Sequence, residues 1–425
     1  MRNLLYFFVK ILYKWKRTDE KQNDMKKIFL LLITFFLTFF AAVCADAQTF
    51  AYTFKNIPTY QMSVRANYRV YINNRYSGLI SREFKSILDV KSISEDVFSS
   101  SGTSYCLTQM IYNGKIVGYQ VDDIVKTDFW TYQDGVMSVI GDNLPFMRNV
   151  PVFKKGRLTQ DEVYAGIGSF VPTVEVNGKA RRYVLPTTVS MQYNGAADIF
   201  GKKCDYFDST FSMNNVSNYP DLKNVRGKHN LRVYFDNNMG LPVFIEDNFS
   251  DTFVIKDGSS DEVTVRHDGF YLYFYEPYRR LRIHLTAGDI QKQLDEDPKV
   301  AEHIYLREDP DGLAIVLNDL HFSPDSAMIM PADYKTIYAL AKILVKNKDK
   351  MVLITGHTAD AGTQAEQVAL SFERARAVAD ALVDQRVNGK QLMIDGKGAS
   401  EPVAPNDTPE NMAKNRRVEI KILGK

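Results

Sequence analysis

The sequence predicts an α+β chain of two domains: an all-β N-terminal half, sandwich or open barrel, and a βαβαβ two-layer α/β C-terminal half. Three observations predict it. From about Gln48 to Leu285, apolar and polar residues alternate with period two between hairpin-type turns. From Leu313 the apolar spacing becomes helical, and short apolar runs separate the helices. At roughly 150 residues per domain, a chain of 425 residues has room for two or three such bodies.

The first element is a leader. Met25-Lys26-Lys27 precedes an apolar run from Ile28 to Val43, and Cys44-Ala45-Asp46-Ala47 follows. A positive start, a short apolar core and an A-x-A site form a secretory signal over residues 1–47, cleaved after Ala47. The run is shorter than the ~20 residues that span a bilayer. The rival is a lipoprotein signal with Cys44 as the lipidated residue, but Val43 stands where such signals carry Gly, Ala or Ser. Translation from Met25 and a long leading segment are both compatible with this pattern.

Residues 48–285 read as the β-rich domain. Arg82, Phe84, Ser86, Leu88 and Val90 share one strand face, and Leu231, Val233 and Phe235 share another. Asn73-Asn74, Asp134-Gly135, Asn177-Gly178, Asn237-Asn238 and Asp257-Gly258 tolerate the positive φ of tight hairpins. The 24 tyrosines and 26 phenylalanines against 2 tryptophans also lean towards strands. An outer-membrane barrel needs an unbroken apolar lipid face, which Arg82 interrupts.

Residues 286–312 read as a linker, dense in charge, with Asp289 capping a short helix that carries Ile290 and Leu294 and that Pro298 limits. In residues 313–425, Leu313 to Leu317 is a buried strand. Asp333 to Val345 is a helix with the stripe Tyr334, Ile337, Tyr338, Ala341 and Leu344. Met351 to Thr355 is a strand and Ala365 to Gln385 a long helix. Leu392 and Ile394 mark a third strand, Thr408-Pro409 opens a short helix, and Val418, Ile420 and Ile422 form the last strand.

Composition narrows the function. Lys plus Arg total 53 and Asp plus Glu 51, so the net charge of +2 argues against a nucleic-acid binder. The histidines (His229, His267, His284, His303, His321 and His357) are scattered, with no H-E-x-x-H spacing, nucleophile elbow or P-loop. The expectation is a protein that is not an enzyme and needs no cofactor or metal. After cleavage Cys106 and Cys204 remain. In an oxidising compartment they suit a single disulfide or two buried thiols.

Five blocks then become recognisable: HFSPDSAMI (321–329), ITGHTADAG (354–362), LSFERARAVADAL (370–382), GKGASEPVAPNDT (396–408) and NRRVEI (415–420). Together they resemble the C-terminal domain of the OmpA family. YRVYINNRYSG (68–78) and MRNVPVF (147–153) are similar to OmpA-family proteins with a soluble β-rich domain in place of a barrel.

The resemblance implies an OmpA-like domain that binds peptidoglycan without covalent chemistry. In the family, an aspartate in G-H-T-D and an arginine in L-S-x-x-R-A grip the diamino acid of the stem peptide. One anion and one cation suit its ammonium and carboxylate, and a guanidinium meets a carboxylate with two parallel hydrogen bonds. By position the arginine is Arg374, and the loop carries Thr358, then Ala359 where the family has aspartate, then Asp360. Gln367 stands where asparagine is common, and Arg417 is a further cation for the same cleft.

Three outcomes stay open. Asp360 takes over, carbonyls or Gln367 meet the ammonium, or wall binding is weakened or retargeted. The expected protein is an anchor in the cell envelope, periplasmic or outer-membrane-associated, whose partners are peptidoglycan and outer-membrane or envelope proteins. The alternative is an interaction module whose β domain binds a lipid or protein partner. Arg417 paired with Glu419, Asp360 capping a turn and His357 packed in the core are the structural alternatives for those residues.

Overall fold

The computed structural model describes residues 47–139, 150–215, 219–256, 261–279, 283–295, 304–318, 322 and 326–424. The expected signal core with Cys44, the Asp257-Gly258 turn, Pro298 and His321 lie outside them. The chain divides into two compact units. Among the described residues, the smaller joins 47–49 with 155–162. Within it Gln48 and Leu158 exchange backbone hydrogen bonds of 2.8 and 2.7 Å, and the Arg157 guanidinium donates to the Ala47 carbonyl. The larger unit holds everything else.

In the larger unit, the N-terminal strands are β1 (Thr59–Ile72), β2 (Arg75–Ser94), β3 (Val97–Tyr112), β4 (Lys115–Tyr132), β5 (Met137–Val139), β6 (Val163–Phe170), β7 (Thr173–Val176) and β8 (Lys179–Arg182). They continue with β9 (Leu185–Ile199), β10 (Lys202–Asn215), β11 (Leu222–Asp236), β12 (Leu241–Lys256) and β13 (Glu262–Pro277). Among the described residues, ten of these form one antiparallel run, β6-β9-β10-β11-β12-β13-β1-β2-β3-β4. Asn73, Asn74 and Asn177 adopt the positive φ their turns require.

This sheet curls. Phe170 on β6 meets His229 on β11 at 4.6 Å and Tyr271 on β13 at 6.4 Å between ring centroids. Five strand spacings in a flat sheet would span roughly 24 Å. An open barrel therefore forms, not a sandwich, and Phe50, Tyr52 and Phe153 fill its inside against Phe207 and Phe235. Leu231, Val233 and Phe235 face that core, as their alternation predicts.

The C-terminal half holds α1 (Ile283–Asp295), β14 (Ile304–Asp309), β15 (Gly312–Asn318), α2 (Tyr334–Lys346), β16 (Val352–Gly356), α3 (Gln364–Asp384), β17 (Leu392–Gly396), α4 (Pro409–Asn415) and β18 (Arg417–Leu423). The strand order is β14-β15-β18-β16-β17. Ile337, Leu340 and Leu344 of α2 and Ala375, Val378 and Leu382 of α3 pack on Ile315, Ile354, Ile394 and Ile420 of the sheet.

Three expectations change. The segment 304–309 is not connector but an edge strand, paired with β15 from Ile304↔Leu317 to Asp309↔Gly312. Arg307 and Asp309 share one face while Ile304 and Leu306, on the other, join the core, so charge density concealed an alternation. Asp289 is interior to α1 rather than its cap, although Ile290 and Leu294 are buried as expected. Tyr334 and Tyr338 lie at the solvent edge of α2, because Leu340 and Ile343 take the core positions.

The two halves share one sheet. β17 pairs in parallel with β4 through Met393↔Tyr119 and Ile394↔Gln120.

Candidate functional site: the loop before α3

The site begins where β16 ends. A Cβ on Gly356 would lie 1.9 Å from the Ser371 carbonyl oxygen, so glycine lets the strand run tight against α3. Beyond it the His357 amide donates to the Arg417 carbonyl and the Thr358 amide to the Gly398 carbonyl, both at 2.9 Å. Gly362 then turns the chain at φ +85°. Thr363 and Glu366 close a capping box at the start of α3. Those hydrogen bonds from Thr363 lower the Glu366 pKa.

Asp360 is exposed, and its Oδ1 accepts from Gln367 Nε2 at 3.0 Å. The buried Gln367 also donates to the Gly362 carbonyl at 3.3 Å, so its amide holds the loop's shape. Ala359, at the position of the family aspartate, is buried. Thr358 is buried too, and its Oγ1 has no hydrogen-bond partner among the described residues.

Arg374 lies two turns beyond Gln367 on the same flank of α3. Its Nε donates to the Ser326 carbonyl at 3.2 Å, and its guanidinium stands 5.0 Å from the Phe322 ring. At 1.5 Å per residue, Gln367 and Arg374 are roughly 10 Å apart along the axis. Helical side chains lean towards the N-terminus, which brings the guanidinium nearer the Asp360 loop.

Arg417 is elsewhere. It alternates with Val418, whose side chain is in the α3-facing core, so it projects from the opposite face of the sheet. There it is buried, donates to Glu419 Oε1 at 2.7 Å and reaches the Glu401 carbonyl at 3.2 Å. Arg307 donates to the other Glu419 oxygen at 2.6 Å. Burial favours a neutral Glu419, but the hydrogen bonds from Arg307 and Arg417 outweigh it and lower its pKa. On the same face His357 is packed, and burial, then the Arg417 charge, push it down to about 4. A cleft shared by Arg417 and Arg374 is thus not formed, because one-residue alternation puts the two on opposite sides of the sheet.

Pattern reading missed Asn415. It is fully buried: its Oδ1 accepts from the Val403 and Ala404 amides, and its Nδ2 donates to Ala404 O and to Asn406 Oδ1. Asn406 in turn accepts from the Asp360 amide at 3.1 Å. Its only sequence signal was its place at the head of the NRRVEI block. Thr408 caps α4 as expected, accepting from the Asn411 amide at 3.2 Å.

The remaining candidates separate. Cys106 on β3 and Cys204 on β10 are free thiols. The structure therefore holds no disulfide between them; Cys204 is buried and Cys106 half-buried. His229, unremarkable in sequence, sits between Asp247 at 2.8 Å and Asp251 at 3.1 Å inside the barrel. Burial opposes its charge, but the two carboxylates outweigh that and hold it up at about 9. Among the described residues no group of three or more His, Cys, Asp and Glu is placed to hold a metal. No helix there is long and apolar enough to cross a membrane.

Comparison with known proteins places this site in a family. Residues 321–416 match the OmpA family model. The chain is 39% identical over 109 residues to the peptidoglycan-binding protein ArfA of Mycobacterium tuberculosis, a match covering 26% of this chain and 33% of that protein. It is 35% identical over 105 residues to the peptidoglycan-associated lipoprotein of Pseudomonas aeruginosa, over 25% of this chain and 62% of that one. Among solved structures, the cell wall anchor of the T6SS from Pseudomonas aeruginosa matches at 28% identity and TM-score 0.29, covering 32% of this chain and 97% of that chain. The C-terminal part of the chain is therefore an OmpA-family domain. The match spans one third of ArfA and about three fifths of the lipoprotein.

Proposed function

We propose that this protein binds peptidoglycan non-covalently through the loop before α3 and the adjoining flank of that helix, and so links the cell envelope to the wall. The observation that carries the reading is that Gln367, on the same flank of α3 as Arg374, holds the exposed Asp360 carboxylate at the mouth of the loop. Asp360 supplies the anion that Ala359 lacks, and Thr358 Oγ1 is a polar atom ready for a ligand. A diamino acid would place its ammonium at Asp360 and its carboxylate at Arg374. Gln367 contributes by fixing Asp360. Arg417 serves the fold and not the ligand. Envelope residence, periplasmic or outer-membrane-associated, follows from the expected leader and from this ligand.

Co-sedimentation of the full chain with purified sacculi tests it. Wild type pellets, while Arg374→Ala and Asp360→Ala stay largely in the supernatant. If wild type fails to pellet and Ala359→Asp restores binding, the domain has lost its wall affinity.

One observation favours a second role for the β half. The adjacent tips of β1–β2 and β3–β4 expose Tyr76, Leu79, Ile111 and Tyr112 at 54–69%. Such a patch suits a protein or lipid contact.

A further inference from the structure

Two domains in one chain normally move against each other unless their interface is large and apolar. Here the seam has the composition of a core. Tyr105, Leu107 and Tyr119 of the barrel cluster with Met351, Leu353, Met393 and Leu423 of the C-terminal sheet, all 8% exposed or less. The β4–β17 pairing closes what would be an open edge of the C-terminal sheet.

Polar contacts lock the seam at both ends. Lys85 of β2, buried on the strand's outer face, donates to the Lys390 carbonyl at 2.7 Å and covers the Tyr119 ring at 3.9 Å. At the far end the Tyr278 hydroxyl donates to the Leu423 carbonyl at 2.8 Å. Lys350 lies 4.5 Å over the Tyr278 ring and donates to the Arg279 carbonyl. Approach is closest at Gly389, in the turn before β17. A Cβ there would lie 2.4 Å from the Ile116 carbonyl oxygen and 2.8 Å from Val117 C, both backbone atoms of β4.

We infer that the barrel is the fixed docking partner of the OmpA-family domain, so that barrel and C-terminal loop move as one rigid body rather than as two domains on a tether. This stands whether or not the loop binds the wall. If it does, the barrel is carried at a set orientation to the point of attachment.

The test uses the full chain, scanning calorimetry and amide hydrogen exchange. Wild type unfolds in one transition, with residues 116–121 and 392–396 exchanging only through it. Gly389→Ala splits the transition in two and speeds exchange in both segments at least tenfold, leaving β11 and β12 protected. Gly78→Ala, whose Cβ would meet nothing within 4 Å, behaves as wild type. Tyr278→Phe, which alters one hydroxyl, speeds exchange several-fold at residues 421–424 and leaves the barrel unchanged. Two independent transitions in wild type, or wild-type behaviour of both Gly389→Ala and Tyr278→Phe, overturns the inference. Neither readout involves sacculi, so its failure is separate from a failure of wall binding.

Discussion

Arg374 and Arg417 stand in two blocks of one motif set, yet on opposite sides of one sheet. Arg374 lies half-buried on a helix flank, against a ring and a carbonyl. Arg417 is buried on the opposite face in a network with Glu419 and Arg307. What separates the two guanidinium groups is burial: Arg417 is enclosed in an ion-pair network, whereas Arg374 keeps part of its surface in solvent.

The sharpest way to break that contrast is Arg417→Ala. It leaves Glu419 buried with one partner fewer, and losing half of a buried pair costs about 3–5 kcal/mol. Chemical denaturation should show that loss. Asn415→Ala should come next, at about 1–3 kcal/mol, because the Val403 and Ala404 amides lose their acceptor. It should also weaken sacculus binding by releasing Asn406, and hence the Asp360 loop.

The third test is pH. His357 is held at about 4 in the fold against an ordinary 6.5, so folding disfavours its protonation. Its contribution is complete above pH 6.5 and falls away as pH drops towards 4. Replacing His357 with Gln should flatten the stability curve within that window.

Smallest in stability and largest in binding is Arg374→Ala. On a partly exposed helix flank it should cost no more than about 1 kcal/mol. If sacculus binding survives it while Arg417→Ala abolishes binding in folded protein, the assignment of the two faces is reversed.

Much of this was legible. Alternation marked the half as strands and located two of them, β2 and β11, and helical spacing located α2 and α3, because both periods are local properties of the backbone. The loop before α3 was legible through its motif, and Asp360 was one of three ways left open to make up for the aspartate missing at Ala359. Glu83 and Lys85 were harder. Both are buried on the outer face of β2, where alternation places the side away from the barrel core, because another domain covers them. Strand 304–309 was hidden because its charged residues answer partners from elsewhere in the chain, Arg307 meeting Glu419. Asn415 could not be ranked above its neighbours, since its importance lies in four hydrogen bonds closed by tertiary contact.

By itself the sequence determined the helices and strands from Leu313 onward, the break between β-rich and α/β halves, the resemblance of the C-terminal part and the candidate loop. Each depends on residues close together along the chain. Only the tertiary structure decided that the barrel curls open, that the two cysteines stay unpaired, that His229 meets two carboxylates, and that β4 completes the C-terminal sheet. Those outcomes depend on which surfaces meet across tens or hundreds of residues, and periodicity carries no record of the partner.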